Sequence, residues 1–375
     1  DISMKYDKTK EKEILEKTNE KLIRFMKDYP KKGIMLSAIG NSISDGFSMS
    51  EPDRLLLDRN LGLIQIGKEN GILVQKYQLS RSENNNSLAV ANWIRNNCTE
   101  QDSYNWNKED YKRAIKSGNP LLSEKEIETY FSNGSTQKVQ DIILRSNPEE
   151  ANIVILNLGT GSFLDILTRH GFLTISNIFC SLKRDIIGIS EILELIQNSN
   201  RENNSQTQVY LCGAPRIMNT VMTDLAMNPG IRKISKEYAN VTYVPSFSRQ
   251  AFYKTKNSMI LPDPHYNQAE YYHLLKDIEN HIINSFLVKD LLIDMDRILY
   301  GLSVENDIKG AINKESDALD IIDEFAKKYE LKDGDYNYFL KLAKDYIQNR
   351  YPFDFYRLSP EKNLGSSIKI LKRNI

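Results

Sequence analysis

Five short apolar runs, each closing on small or polar residues, constrain this chain more than anything else in it. They occupy positions 34–39, 71–79, 151–158, 207–212 and 241–244. Runs of this length bounded by turn-forming residues read as buried strands. The segments between them are longer, and their apolar residues recur every three or four positions, the helical period. No hairpin signal joins two runs, so the strands are expected to be parallel and linked by right-handed crossovers. Parallel strands share a direction, and their carboxyl ends share an edge. The expected fold is therefore α/β: a three-layer α/β/α sandwich around a five-stranded parallel sheet.

The rest of the chain attaches to that frame. Residues 8–29 carry Ile14, Leu15, Leu22, Phe25 and Met26 at helical spacing, ended by Pro30 and Gly33. Residues 1–32 thus form an amino-terminal helix, and 33–286 the sheet domain. Residues 99–137 interrupt the alternation with a polar stretch that includes Tyr104, Trp106, Tyr111, Tyr130 and Phe131. Insertions this long between regular elements are usually functional, and aromatic content argues against disorder. The expectation here is a small helical excursion overhanging the strand ends as a lid. From 287 to 375 the pattern is helical without further strands, with amphipathic segments at 316–329 and 335–351. This carboxyl-terminal extension could serve as an accessory subdomain, a homodimer surface or a cover over the sheet.

Composition excludes some partners. Fifty basic residues balance fifty acidic ones among 375. A neutral chain has no electrostatic footprint for nucleic acid or an anionic membrane. No apolar stretch approaches the roughly 20 residues of a membrane span. The first residues, Asp1-Ile-Ser-Met-Lys-Tyr6, carry no signal-peptide core, so a cytoplasmic protein is expected. Cys98, Cys180 and Cys212 are too few and too scattered for a disulfide framework or a zinc knuckle. Cys180 and Cys212 stand among apolar residues and are expected to pack as small hydrophobes.

The chemistry is expected at the strand ends. The first run leads into Gly40-Asn-Ser-Ile-Ser-Asp-Gly46, which sets Ser42 just past the carboxyl end of a strand. Ligands of open α/β sheets bind along that edge, so Ser42 is the candidate nucleophile. A serine needs a base, and the base an orienting group. Of the four histidines, His265 is the best placed. It lies in a loop, with Asp263 two residues before it; the alternative is an exposed loop histidine. Two rivals are weaker. His273, Asp277 and His281 share a helix face as metal ligands would, but a polar helix face explains them equally well. Gly159-Thr-Gly161 follows a strand but lacks the lysine of a phosphate-binding loop and the third glycine of a dinucleotide fingerprint.

Gly40-Asn41-Ser42-Ile43 resembles the Gly-Asp-Ser-Leu motif of the GDSL, or SGNH, hydrolases in a Gly-Asn-Ser variant. Asp263-Pro-His265-Tyr-Asn267, continuing to Tyr271, resembles the family's last block from the histidine onward, and Gly213-Ala-Pro215 resembles a Gly-x-Pro turn common in it. The resemblance covers residues 33–286 and implies the flavodoxin-like sandwich of that family. It also implies a serine esterase or acylhydrolase that works without cofactor or metal on a small-molecule or glycan ester. Ser42 would attack the ester carbonyl, His265 would act as general base and then general acid, and Asp263 would hold the imidazole. Ser42, Ser82, Gly161 and Ser162 would form the oxyanion hole. Asp263 stands one residue nearer His265 than the family's Asp-x-x-His spacing, and two further blocks depart from the family. Ser80-Arg-Ser82 lacks its glycine, and Gly161 stands where an asparagine is expected. Loss of one oxyanion donor typically lowers turnover about 10²–10³-fold. An acyltransferase or a non-catalytic binding protein on the same scaffold therefore remains in view.

Overall fold

The computed structural model describes residues 8–40, 62–80, 87–97, 138–159, 175–214, 227–245, 268–305, 315–329, 331 and 333–350. The 99–137 insertion and the tail beyond residue 350 lie outside the described residues.

Five strands form one all-parallel sheet: β1 (Gly33–Gly40), β2 (Leu73–Ser80), β3 (Glu150–Asn157), β4 (Thr207–Cys212) and β5 (Val241–Val244). Their order is β2-β1-β3-β4-β5. The chain steps outward from β1 to β2, returns to β3 and then moves the other way. β1 and β3 are thus neighbours at the point where the winding reverses. β3 and β4 are buried along almost their whole length, as strands covered on both faces must be.

Helices α1 (Lys8–Lys27), α2 (Gly62–Glu69) and α7 (Gln268–Glu305) cover one face. There Leu22, Leu63, Leu275 and Ile282 meet Leu36, Ile153, Ile155 and Tyr210 of the sheet. The other face carries α3 (Ser87–Arg95), α4 (Val139–Ile143), α5 (Ile175–Glu202) and α6 (Asn228–Ser235). Val90, Ile142, Ile189, Ile196 and Ile231 pack there on Met35, Ile39, Val154, Leu156 and Val209. Alternate residues of each strand feed opposite cores, the period of two that a sheet imposes. The crossover leading left uses one face and those leading right use the other, as crossovers of a single hand require.

Beyond the sheet, α7 runs on as one helix of 38 residues. The sequence placed a boundary after Phe286, but Val288, Leu292, Met295 and Leu299 continue the apolar spacing. They pack with α8 (Glu315–Lys328) and α9 (Asp333–Arg350) in a third cluster around Phe325, Phe339 and Ile347. Two buried polar links tie this cluster to α5. Arg201 donates twice to Asp296, at 2.8 and 3.0 Å, and Tyr346 also bonds that carboxylate. Burial alone would raise the Asp296 carboxyl, but the Arg201 guanidinium outweighs it and holds the group below its usual range. Arg350 makes a fork to Glu194, at 3.0 and 2.9 Å.

Cys212 is buried as expected, but Cys180 is exposed. The packed stripe of α5 runs through Leu182, Ile186 and Ile189. Cys180, two positions before it, points off that stripe. Among the described residues, no helix is long and apolar enough to cross a membrane.

Candidate functional site

The parallel register aligns the carboxyl ends of the strands in one row. Gly40 stands opposite Ser80 on one side and Asn157 on the other, Asn157 opposite Cys212, and Cys212 opposite Val244. Segments 41–61, 81–86, 160–174, 215–226 and 246–267 follow this row. They contain Ser42, Ser82, Gly161, Ser162, Asp263 and His265, all six of which lie outside the described residues. The described residues fix the strand ends before these segments and the helix starts after them.

The strand leading to Ser42 is flanked by the strands leading to Ser82 and to Gly161. Adjacent strands lie about 4.8 Å apart, so the three segments depart within about 10 Å of one another. Gly159 begins the turn after β3 with φ +110°, a conformation that side chains strain to adopt. A Cβ there would fall 2.3 Å from Met227 Cε. Position 159, the last described residue before the segment carrying Gly161 and Ser162, is therefore suited to glycine.

His265 precedes the first residue of α7 by three positions, and α7 runs antiparallel to the strands. Asp277 acts electrostatically on Cys212 at the end of β4. Further along, Tyr210 Oη and Ser285 Oγ are 3.2 Å apart, Gln208 donates to the Phe286 carbonyl at 2.8 Å, and Lys289 donates to the Val241 carbonyl at the start of β5. The amino terminus of α7 is thus on the side of the carboxyl row. Burial and the Asp277 charge push the Cys212 thiol up to about 12, so this cysteine is not a nucleophile at neutral pH.

Two buried carboxylates, neither among the candidate residues read from the sequence, hold the helices that start from this edge. Asp185 of α5 is fully buried and accepts the Ser87 backbone N–H and the Ser87 hydroxyl, each at 3.1 Å. It caps α3, whose first residue follows the segment carrying Ser82. Gly188, one turn further on, lets the two helices touch: a Cβ there would lie 2.2 Å from the Leu88 nitrogen. Glu279 of α7 accepts the Leu63 N–H at 3.2 Å and a bond from Gly62, so it caps α2, the helix that ends the segment carrying Ser42. Lys276 balances it at 2.8 Å. Burial raises the Glu279 carboxyl against the lowering effect of Lys276. Both carboxylates were visible as acidic residues on otherwise apolar stripes, Leu182-Asp185-Ile186-Ile189 and Leu275-Ile278-Glu279-Ile282.

Asn157 lies inside the apolar run 151–158. It places a buried carboxamide at the end of β3, level with Gly40. His281 donates from Nδ1 to the Asp277 carbonyl at 2.7 Å. Among the described residues, no three His, Cys, Asp or Glu side chains form a metal-sized group.

Compared with known proteins, the chain matches no family model, no curated sequence and no solved structure.

Proposed function

We propose that this chain is a serine acylhydrolase of the GDSL, or SGNH, type that cleaves an ester through an acyl-Ser42 intermediate. One observation carries most of the weight. The β2-β1-β3-β4-β5 order with flush carboxyl ends makes β1 and β3 neighbours at the winding reversal, and Ser42 follows β1 by two residues. Crevices at such reversals are where doubly wound sheets, flavodoxin among them, hold their ligands. The antiparallel course of α7 further supports His265 as the base, because it brings that segment back to the same side.

In this mechanism Ser42 Oγ bonds to the ester carbonyl carbon while His265 takes the hydroxyl proton. The carbonyl electron pair moves onto oxygen, facing the N–H groups of Ser42 and Ser82 and the turn at Gly161 and Ser162. Collapse expels the alcohol, which takes the proton from His265. Water activated by the same imidazole then releases the acid and regenerates Ser42. Asp263 orients the imidazole. The substrate class is an O-acyl or O-acetyl ester on a carbohydrate or lipid. A different acceptor in the water position gives an acyltransferase.

Folded protein is expected to hydrolyse short-chain nitrophenyl esters and to be labelled by a fluorophosphonate at Ser42. Both signals should vanish in Ser42→Ala. Folded protein that shows neither turnover nor labelling would overturn the proposal in favour of a binding protein, which the glycine at position 161 would then explain. Product analysis with added alcohols separates hydrolysis from acyl transfer.

A further inference from the structure

At the end of β5 a groove of about 480 Å³ is lined by residues of α6, of the strand end and of α9, the last contributing Asn349. Pro229, Arg232, Lys233 and Lys236 line one wall, at the spacing of a single helical stripe. Their orientation is fixed from behind: Ile231 and Ile234 of α6 are buried in the core, which turns the cations outward. Tyr243 and Pro245 form the opposite wall. Among the described residues, no carboxylate lines the groove.

The charge is local. The chain is neutral overall, with fifty cations and fifty anions, so three cations lining one groove do not reflect a general excess. Lys236 Nζ sits 3.6 Å from Asp345, with both side chains about two-fifths exposed. A solvated pair at that distance is weak and readily exchanged for a better anion. A guanidinium grips phosphate oxygens in pairs, while ammonium groups act as point charges. The tyrosine and the prolines give a ring something flat to lie against. The volume falls within the roughly 300–1,000 Å³ of small-molecule pockets.

We infer that this groove binds a small phosphate monoester carrying a ring, with the phosphoryl group at Arg232, Lys233 and Lys236 and the ring against Tyr243. The site uses described residues only and stands whether or not Ser42 is a nucleophile. β5 is three strands from β1 in the sheet, or about 14 Å. The groove thus lies at the β5 end of the sheet, away from the β1 end that leads to Ser42.

Calorimetric titration with phenyl phosphate tests the inference on the intact chain. Phenyl phosphate should bind more tightly than inorganic phosphate, and phenol, which has the ring without the charge, should not bind. The triple variant Arg232→Gln, Lys233→Gln, Lys236→Gln should weaken phenyl phosphate at least about tenfold, and added salt should weaken it in the wild type. The control is Lys17→Gln, Lys21→Gln, Arg24→Gln, which removes the same charge from an exposed stripe of α1 on the other face of the sheet. Equal losses in both triple variants would reduce the effect to net charge and overturn the site. Absence of binding in the wild type would overturn it as well. Binding of inorganic phosphate as tightly as phenyl phosphate would remove the ring from the ligand class.

Discussion

Lys289 is the residue whose setting differs most from its type. It is buried, and its ammonium group donates to the backbone carbonyls of Ala239 and Val241, at 3.3 and 2.5 Å. Burial lowers its pKa from 10.5 to about 7. In the unfolded chain the same group titrates near its ordinary value. Between about pH 7 and 10 the unfolded state therefore holds more protons than the native state, and stability rises with pH. The slope approaches about 1.4 kcal/mol per pH unit in the middle of that window. The buried phenols of Tyr29, Tyr210 and Tyr238, all raised by burial, reverse the trend above it. Urea denaturation at half-unit steps from pH 7 to 10 should show the rise in wild type and its loss in Lys289→Met. Equal slopes in both would show that Lys289 is charged in the native state throughout. In the sequence this lysine sits between Phe286 and Leu292 on an apolar stripe, a cue that something unusual is buried there. What it bonds was not legible, because its acceptors lie about fifty residues away, in the turn before β5 and at the start of that strand.

The informative elements are the short helices that leave the carboxyl edge. α2 and α3 are eight and nine residues long. Helices this short are marginal alone and depend on packing and caps. Asp185 and Gly188 together make a socket for the first turn of α3: a carboxylate for its donors and an absent Cβ for its backbone. Asp185→Ala leaves the buried Ser87 N–H without this acceptor, which should cost about 1–3 kcal/mol. Amide hydrogen exchange should quicken over residues 87–95 and stay near wild type in β3 and β4. Asp185→Asn keeps an acceptor oxygen and should recover much of the protection. Unchanged exchange in the alanine variant would mean that α3 is held by its apolar face alone. The strands were legible almost to the residue, because a short apolar run between turn signals has few other uses. These sockets were not, because a cap contributed by a distant helix leaves no local pattern.

At the scale of the molecule, the α/β alternation already implied the three layers, the parallel pairing and the common edge. The sequence also named residue types suited to acyl transfer along that edge. It divided the chain after Phe286, where the structure has one unbroken helix. The helix runs through that point because nothing in 287–305 stops it: Gly301 alone is tolerated, and the apolar spacing continues through Leu299. A shared helix joins the third cluster to the sheet mechanically, and Arg201–Asp296 and Arg350–Glu194 join it again through α5. Phe339→Ala, at a fully buried ring stacked 5.9 Å from Phe325, should cost about 3–5 kcal/mol. The loss is expected as one shifted transition, the same by far-ultraviolet dichroism and by tryptophan fluorescence. Two separate transitions, the second at the wild-type midpoint, would show that the extension folds on its own.

The continuity of α7 also sets a rule about phase. Each residue of a helix turns the next by about 100° and advances it about 1.5 Å. Its first half is keyed to the sheet through Leu275 and Ile282, its second to α8 and α9 through Leu292 and Leu299. Adding or removing one residue between them would swing one set of side chains about a quarter-turn away from its partners. Loops take up changes in length at little cost, but this rod has none in which to hide one. The spacing between those two sets is thus as much a part of the fold as the residues themselves.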